Sequence, residues 1–143
     1  MHVLRLREFE SLSLGHVDDL YALLRAIDET MPDDAVLYLE GTSIAPDIVG
    51  FLEARQTTVR QEVARGTLWP LPATFHLPLE NGNLAELRAL AERHAEPELC
   101  DHLAVYRADQ LLLTAHDAGF GEVYLVRSLS EETIRRFRLA LTD

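Results

Sequence analysis

The chain has 143 residues, a formal charge of −11 and a hydrophobic fraction of 48%. That length suits one globular domain, residues 1–143, which can close its core without a disulfide or a metal ion, and the composition excludes wholesale disorder. The negative charge disfavours nucleic acid, because phosphate groups need cationic side chains to replace their counterions. We therefore predict a single domain that has no nucleic-acid partner.

The use of basic residues and cysteine narrows the class of protein. All 13 basic residues are arginine, which is typical of a GC-rich bacterial genome more than of a salt-adapted source, and which excludes Schiff-base chemistry. Cys100 is the single cysteine, so no intrachain disulfide forms, as expected in a reducing cytosol. No apolar run reaches the roughly 20 residues of a membrane span or has the form of a signal peptide. We predict a soluble, cytoplasmic bacterial protein that contacts no membrane.

The first 40 residues contain two strand patterns and one helix pattern. Alternating apolar and charged residues predict a strand at 3–9, followed by a loop. Apolar residues at helical spacing from Val17 to Ile27 predict a helix, which ends before Pro32 because proline cannot continue it. The uninterrupted apolar run at 35–39 predicts a central strand that is covered on both faces.

The middle of the chain begins with a second predicted helix. Pro46 favours the first turn of this helix, and its apolar stripe includes Phe51. Residues 56–68 are harder to interpret, since they suit either a longer helix or a short edge strand. Adjacent β-branched residues favour the non-helical alternative. A strand follows at 74–79, and Pro78 predicts that it lies at an edge of the sheet or ends there.

The connections on either side of that strand carry further signals. We interpret Trp69 as an apolar anchor that fixes its loop to the core. Residues 81–83 have the composition of a turn and lead into a third helix. In this helix Asn83 and Glu86 have the spacing of a capping box. Pro97 is expected to close the helix.

The last third of the chain predicts an antiparallel meander and a final helix. Three apolar-rich runs at 102–107, 111–116 and 122–127 are separated by turn residues. Ser130 then has the position of an N-cap for the last helix. The order β-α-β-α-β-α-β-β-β-α predicts an α/β fold of the α+β type, with a single mixed sheet and helices packed on it.

Counting residues across the meander predicts which side chains lie opposite each other. If 108–110 form a three-residue loop, His102 lies opposite His116. If 117–121 form the next loop, His116 lies opposite Glu122. Directly opposed residues point to the same face of a sheet, with Cβ atoms roughly 5 Å apart. The three ionisable side chains would then form one row across three strands.

Alternation assigns the remaining side chains of the meander to two faces. One face is uniformly apolar and is expected to pack into the core: Leu103, Val105, Leu111, Leu113, Ala115, Val123 and Leu125. The other face mixes apolar residues with tyrosine and threonine, and it shares its side of the sheet with the ionisable row: Ala104, Tyr106, Leu112, Thr114, Tyr124 and Val126. We expect this second face either to bind a partner or to pack loosely under a helix.

Two histidines and a carboxylate are the ligand types of mononuclear iron and zinc sites, and Asp117 or Cys100 lies near enough in sequence to join them. A row about 10 Å long is nevertheless wide for one ion with bonds near 2.1 Å. Solvated strand ends therefore explain the row better, and we predict neither a metal nor a cofactor. We expect Cys100 to be a small buried apolar side chain and His76 to be a hydrogen-bonded core or edge residue.

No dinucleotide fingerprint, phosphate loop, nucleophile elbow or zinc-protease motif occurs in the sequence. Together with the acidic charge, this favours a non-catalytic regulatory module that binds a protein partner or a small ligand. The alternative is a small metal-dependent or acid–base enzyme, with His102, His116, Asp117 and Glu122 as its candidate catalytic residues. The sequence leaves open whether the protein is an enzyme, and a homo-oligomer is compatible with it.

Overall fold

The computed structural model describes residues 3–58, 60–67, 69–95, 98–118 and 121–142. The helices of these ranges are Leu20–Thr30 (α1), Pro46–Arg55 (α2), Asn83–Ala91 (α3) and Glu131–Thr142 (α4). The strands are Val3–Leu4 (β1), Ser11–His16 (β2), Val36–Gly41 (β3), Glu62–Val63 (β4), Ala73–Pro78 (β5), His102–Arg107 (β6), Gln110–Ala115 (β7) and Glu122–Val126 (β8). No helix in this part of the chain is long and apolar enough to cross a membrane.

Six of the strands form an antiparallel sheet in the order β2-β8-β7-β6-β3-β5. The α+β class and the C-terminal meander of β6, β7 and β8 are therefore confirmed. Strand β3 lies inside the sheet, as its apolar run predicts, and β5 lies at an edge, as Pro78 predicts. The structure adds a feature that the sequence did not predict, a small second sheet in which β1 and β4 pair in parallel.

The main hydrophobic core lies between the four helices and one face of the six-stranded sheet. Seven side chains that were predicted to lie in the core are at most 2% exposed: Leu20, Leu24, Leu37, Leu103, Val105, Leu113 and Leu125. Phe51, also predicted there, is only partly buried. Ile48 and Leu52 point into the core, and Phe51 is rotated about 100° around α2 from Leu52. The Arg55 guanidinium covers its ring at 5.0 Å from the centroid.

Two helix boundaries follow the predicted capping and stop signals. The Asp19 side chain accepts hydrogen bonds from backbone N–H groups in the first turn of α1, and the helix ends at Thr30, before Pro32. At α4 the Ser130 hydroxyl accepts a hydrogen bond from the backbone N–H of Thr133. Acidic residues in the first turn of α4 also favour its positive dipole end.

The capping box predicted for α3 is wrong. Gly82, in a left-handed conformation with φ +71, occupies the N-cap position, so the helix begins one residue earlier than predicted and Asn83 lies inside its first turn. The Asn83 side chain donates instead to the carbonyl of Pro78 and accepts from Arg55. Glu86 pairs with the same arginine. Pro97, which was expected to end the helix, lies outside the described residues.

The prediction for the N-terminal segment is also wrong in part. Of residues 3–9 only Val3 and Leu4 form a strand, and a 3-10 helix follows at Glu8–Glu10. The segment predicted as a loop contains the edge strand β2. Serine and glycine disfavour strands locally, but pairing with β8 overrides that preference. Residues 56–58 and 60–67 are non-helical, as expected, and contain the short strand β4.

The hairpin between β6 and β7 is tighter than predicted. Arg107 pairs with Gln110 across a two-residue turn in which Ala108 has φ +52, so the three-residue loop is wrong. A β-bulge then shifts the pairing by one residue. Beyond the bulge the register is the predicted one, since Leu103 pairs with Ala115.

That bulge corrects the predicted faces of the meander at two leucines. Leu111, expected in the core, packs on the opposite face, and Leu112 takes a place in the core. Val126, expected on the opposite face, also packs into the core. For the two leucines the reason is that one extra residue in β7 reverses the side to which the side chains beyond it point.

The second face of the six-stranded sheet, here called the polar face, is covered differently. Leu4 of β1 and Val63 of β4 pack on its apolar part, which consists of Tyr38, Ala104, Tyr106 and Leu111. We call β1 and β4 the covering strands. They are joined to each other over only two residue pairs. The polar side chains of this face therefore lie between the six-stranded sheet and the two short covering strands.

Candidate functional site

A cavity of about 250 Å³ lies between the polar face and the covering strands. The sheet contributes the side chains of Glu40, His102 and His116 to its wall. Arg5 follows β1, and Arg65 follows β4, so the cover contributes two guanidinium groups. The cavity thus brings together ionisable side chains from five separate segments of the chain.

Glu40 occupies the centre of this arrangement and is 0% exposed. Its carboxylate accepts hydrogen bonds from the Tyr38 hydroxyl at 2.7 Å and from the backbone N–H of Thr67 at 2.7 Å. The backbone N–H of Gly66 lies 3.0 Å from one oxygen and 3.2 Å from the other. A buried carboxylate is tolerated only with such partners, so Glu40 fastens the segment after β4 to the sheet.

The Tyr38 hydroxyl belongs to the same unit. Tyr38 and Glu40 are two residues apart on β3 and therefore point to the same face. Burial raises the pKa of Tyr38 well above its usual range, and the hydrogen bond to Glu40 adds to this rise. The hydroxyl consequently stays protonated and donates to the carboxylate.

His102 is oriented by hydrogen bonds at both ring nitrogens. Nδ1 accepts from the backbone N–H of Asp117 at 2.9 Å. A neutral ring then carries its proton on Nε2, which donates to the Thr67 hydroxyl at 2.9 Å. The same Nε2 lies 4.0 Å from the Glu40 carboxylate. Both nitrogens are engaged, so this ring holds a fixed position.

His116 lies beside His102, with ring centroids 5.3 Å apart. Gly66 packs against both rings, and a Cβ on it would lie 2.6 Å from His102 Cδ2 and 2.8 Å from His116 Nδ1. Only glycine permits this close approach. Partial burial of the ring lowers the pKa of His116, and the neighbouring His102 acts in the same direction against Glu40 and Asp117. His116 is therefore neutral near pH 7, and its ring forms no hydrogen bond to any described residue.

The three side chains of the predicted row do not converge. The pairing of β7 with β8 ends at Ala115 and Val123, and Glu122 pairs with His16 of β2. The Glu122 carboxylate, however, accepts hydrogen bonds from the hydroxyls of Tyr124 and Ser13, and the Tyr124 contact is the main cause of its lowered pKa. Within the described ranges no group of three His, Cys, Asp or Glu side chains is arranged to hold a metal ion.

Asp117 contributes to the site through its backbone, since its N–H holds His102 and its φ is +53. Cys100 is buried in the core at 2% exposure, as predicted. His76 is buried as well, with Nδ1 2.9 Å from the Tyr106 hydroxyl, which confirms a hydrogen-bonded histidine. Trp69 is 86% exposed, so its interpretation as a core anchor is wrong. Its loop runs over the surface between β4 and β5.

Sequence reasoning missed Glu40, Arg5 and Arg65. A signal for Glu40 was present, because it ends an apolar strand and shares a face with Tyr38. A carboxylate that continues a buried strand needs hydrogen-bond donors from elsewhere in the fold. No sequence pattern indicated Arg5 or Arg65, because their position depends on the pairing of β1 with β4.

No family model, curated protein or solved structure matches this chain. The chemistry of the site therefore has to be read from its own groups. The cavity offers two guanidinium groups, the imidazole ring of His116, and polar groups on Thr114 and Tyr38. These groups bind and orient a molecule by hydrogen bonds and charge. The thiol of Cys100 does not line the cavity.

Proposed function

We propose that this protein is a non-catalytic binding module that holds a small ligand between its polar face and the covering strands. The observation that carries the proposal is a cavity of about 250 Å³ whose wall is already organised by hydrogen bonds. Ligand sites are typically concave, largely pre-formed and lined by apolar side chains with a few placed polar groups. Leu4, Leu6 and Ala104 supply apolar wall around the ionisable groups.

The engagement of the reactive groups supports binding over catalysis. The Glu40 carboxylate has three donors, and both ring nitrogens of His102 are hydrogen-bonded. A catalytic acid, base or nucleophile has to exchange a proton or attack a substrate. Glu40 and His102 serve instead to fix the cavity wall, so the site is built to keep a shape.

The covering strands give the cavity a route of entry. β1 and β4 contact each other through Val3 with Glu62 and Leu4 with Val63 only. Segments with so few contacts open locally at a lower free energy than the core does. We expect a ligand to enter where β1 separates from β4, while Glu40 keeps the segment after β4 on the sheet.

Titration of the 15N-labelled protein with glycerol, ethanolamine, succinate and inorganic phosphate tests the proposal. At least one of these probes should shift the amide signals of Gly66, Thr67 and Asp117 saturably. Thr114 lines the cavity, so Thr114→Leu should fill it and abolish the shifts. Thr142→Leu is the matched control, because Thr142 lines a separate hollow beside α1 and α4.

Two results would contradict a ligand-binding cavity. One is the absence of any saturable shift at these amides at millimolar concentrations of all four probes. The other is a set of shifts that persists unchanged in Thr114→Leu, since binding would then occur elsewhere. Melting temperatures of both variants check that each remains folded.

A small acid–base enzyme is the second candidate, and the state of His116 favours it. Its neutral ring lines the cavity and lacks a hydrogen-bond partner in the described part of the chain, so it can take a proton from a bound molecule. In this enzyme hypothesis the carboxylate beside the histidines is Glu40, and not Glu122 as the sequence suggested. Turnover that is lost in His116→Gln while ligand binding persists would favour an enzyme over a binding module.

A further inference from the structure

We infer that the cavity binds a small organic or inorganic oxyanion, with a carboxylate or phosphate group held by Arg5 and Arg65. This inference rests on the proposed binding function and specifies the chemistry of its ligand. Guanidinium groups present several N–H donors in a plane that matches the oxygens of carboxylate and phosphate. Both arginines line the cavity from the side of the cover.

The charge around the cavity differs in sign from that of the whole chain. The protein has a formal charge of −11. The charged residues of the cavity wall are two arginines and one glutamate, so this site is positive overall even while both histidines are neutral. A positive concave site in an acidic protein concentrates anions locally.

The two arginines differ in their partners from Arg55, Arg88 and Arg107. Arg88 and Arg107 pair with aspartates, and Arg55 pairs with a glutamate. Arg5 and Arg65 form no ion pair with any described residue, although the chain has 24 acidic residues. Both arginines are exposed residues that line the cavity.

The negative charge of Glu40 does not compete for these arginines. Its carboxylate is already satisfied by the hydroxyl of Tyr38 and by the N–H groups of Gly66 and Thr67. Such hydrogen bonds stabilise the charge where it is, and the side chain is 0% exposed. Glu40 thus holds the segment that carries Arg65 in place without neutralising it.

His116 provides a third contact for an oxyanion. Its neutral ring has one N–H donor, and the ring lies at the cavity wall beside His102. The volume of about 250 Å³ lies below the range typical of drug-sized ligands, which is roughly 300–1,000 Å³. A compact molecule with one or two oxyanion groups fits this combination of size and donors.

The same NMR titration separates the ligand classes. At pH 7 and constant low ionic strength, succinate and phosphate should shift the amides of Gly66 and Thr67 saturably, while glycerol and ethanolamine should not. Arg5→Gln and Arg65→Gln should each lower the affinity for the anion by roughly tenfold or more, as expected for the loss of a charge-assisted hydrogen bond. Saturation by only one of the two anions would identify the oxyanion group that is recognised.

Arg138→Gln is the matched control, because Arg138 lines a different hollow and also lacks an ion pair among the described residues. It should leave the anion affinity unchanged. An equal loss in this variant would overturn the inference, since net charge alone would then explain binding. Shifts caused by glycerol or ethanolamine but not by the anions would overturn it while the binding function stands. If no probe shifts these amide signals, both the oxyanion inference and the proposed binding function are contradicted.

Discussion

The two faces of the six-stranded sheet are covered in opposite ways. Four helices seal one face, and side chains such as Leu37, Val105 and Leu113 are 0% exposed beneath them. Two strands of two residues each cover the other face, which carries Glu40 and His102. The helical side supplies the stable core, which leaves the polar face free to hold groups that contribute little to folding.

This division predicts different consequences for substitutions on the two faces. Burial beneath the helices stabilises the fold in proportion to the apolar area removed from water. On the polar face each buried group has to be satisfied individually, as Glu40 is by its three donors. Removing a side chain should therefore cost most under the helices and least in the exposed loops.

Leu113 and Thr114 test the contrast directly, because they are neighbours on β7 and point to opposite faces. Leu113→Ala should lower the free energy of unfolding by roughly 2–5 kcal/mol through the cavity it leaves in the core. Thr114→Ala, at a partly exposed position of the polar face, should cost no more than about 1 kcal/mol. Urea denaturation of both variants measures the difference. A loss below about 0.5 kcal/mol for Leu113→Ala would mean that the faces are inverted.

The helical side was largely predictable from the sequence for a physical reason. Its elements produce regular apolar periods, so Leu20 and Leu24 mark α1, and Leu103 and Val105 mark the core side of β6. The wrong predictions on this side concern local backbone geometry that hydrophobic periodicity does not indicate. One is the bulge in the β6–β7 pair, which exchanges Leu111 and Leu112.

Of the ionisable groups around the cavity, only the two histidines were predictable from the sequence. Counting across the meander places His102 beside His116, because that register is local. Glu40 contacts Gly66 and Thr67 about 26 residues further along the chain, and no local pattern reports such a contact. The same count placed Glu122 in the row, but Glu122 pairs with His16, and its side chain accepts a hydrogen bond from the Tyr124 hydroxyl. Alternation predicts a face and does not predict a partner.

The buried His76 gives the polar face a dependence on pH. Burial lowers its pKa to about 4, and the charge of Arg60 acts in the same direction. An unfolded chain protonates histidine near pH 6.5, so the stability that neutral His76 contributes is complete above that pH and falls as the pH drops toward 4. The full loss amounts to about 3 kcal/mol for a shift of this size.

Unfolding free energies between pH 7 and pH 4.5 measure this loss. The side chain in His76→Gln cannot titrate but can still contact the Tyr106 hydroxyl. The free energy of unfolding of this variant should therefore fall less steeply with decreasing pH, by the contribution of His76. Histidine ring signals in NMR provide a second measurement, since His76 should remain unprotonated at pH 5. Equal slopes for the two proteins would show that this ring is accessible to protons, and the polar face would then be open at His76.

The smallest effect is expected at Trp69, where the loop leaves the polar face. Its side chain is 86% exposed and Leu71 nearby is 68% exposed, so Trp69→Ala should change the free energy of unfolding by no more than about 0.5 kcal/mol. Trp69 is also the single tryptophan, which makes its fluorescence a specific reporter. Native emission should match that of tryptophan in water, and acrylamide should quench it as efficiently as in urea. A blue-shifted native emission, together with a loss of unfolding free energy above about 2 kcal/mol in Trp69→Ala, would place the ring against the sheet. The polar face would then be covered as firmly as the helical face.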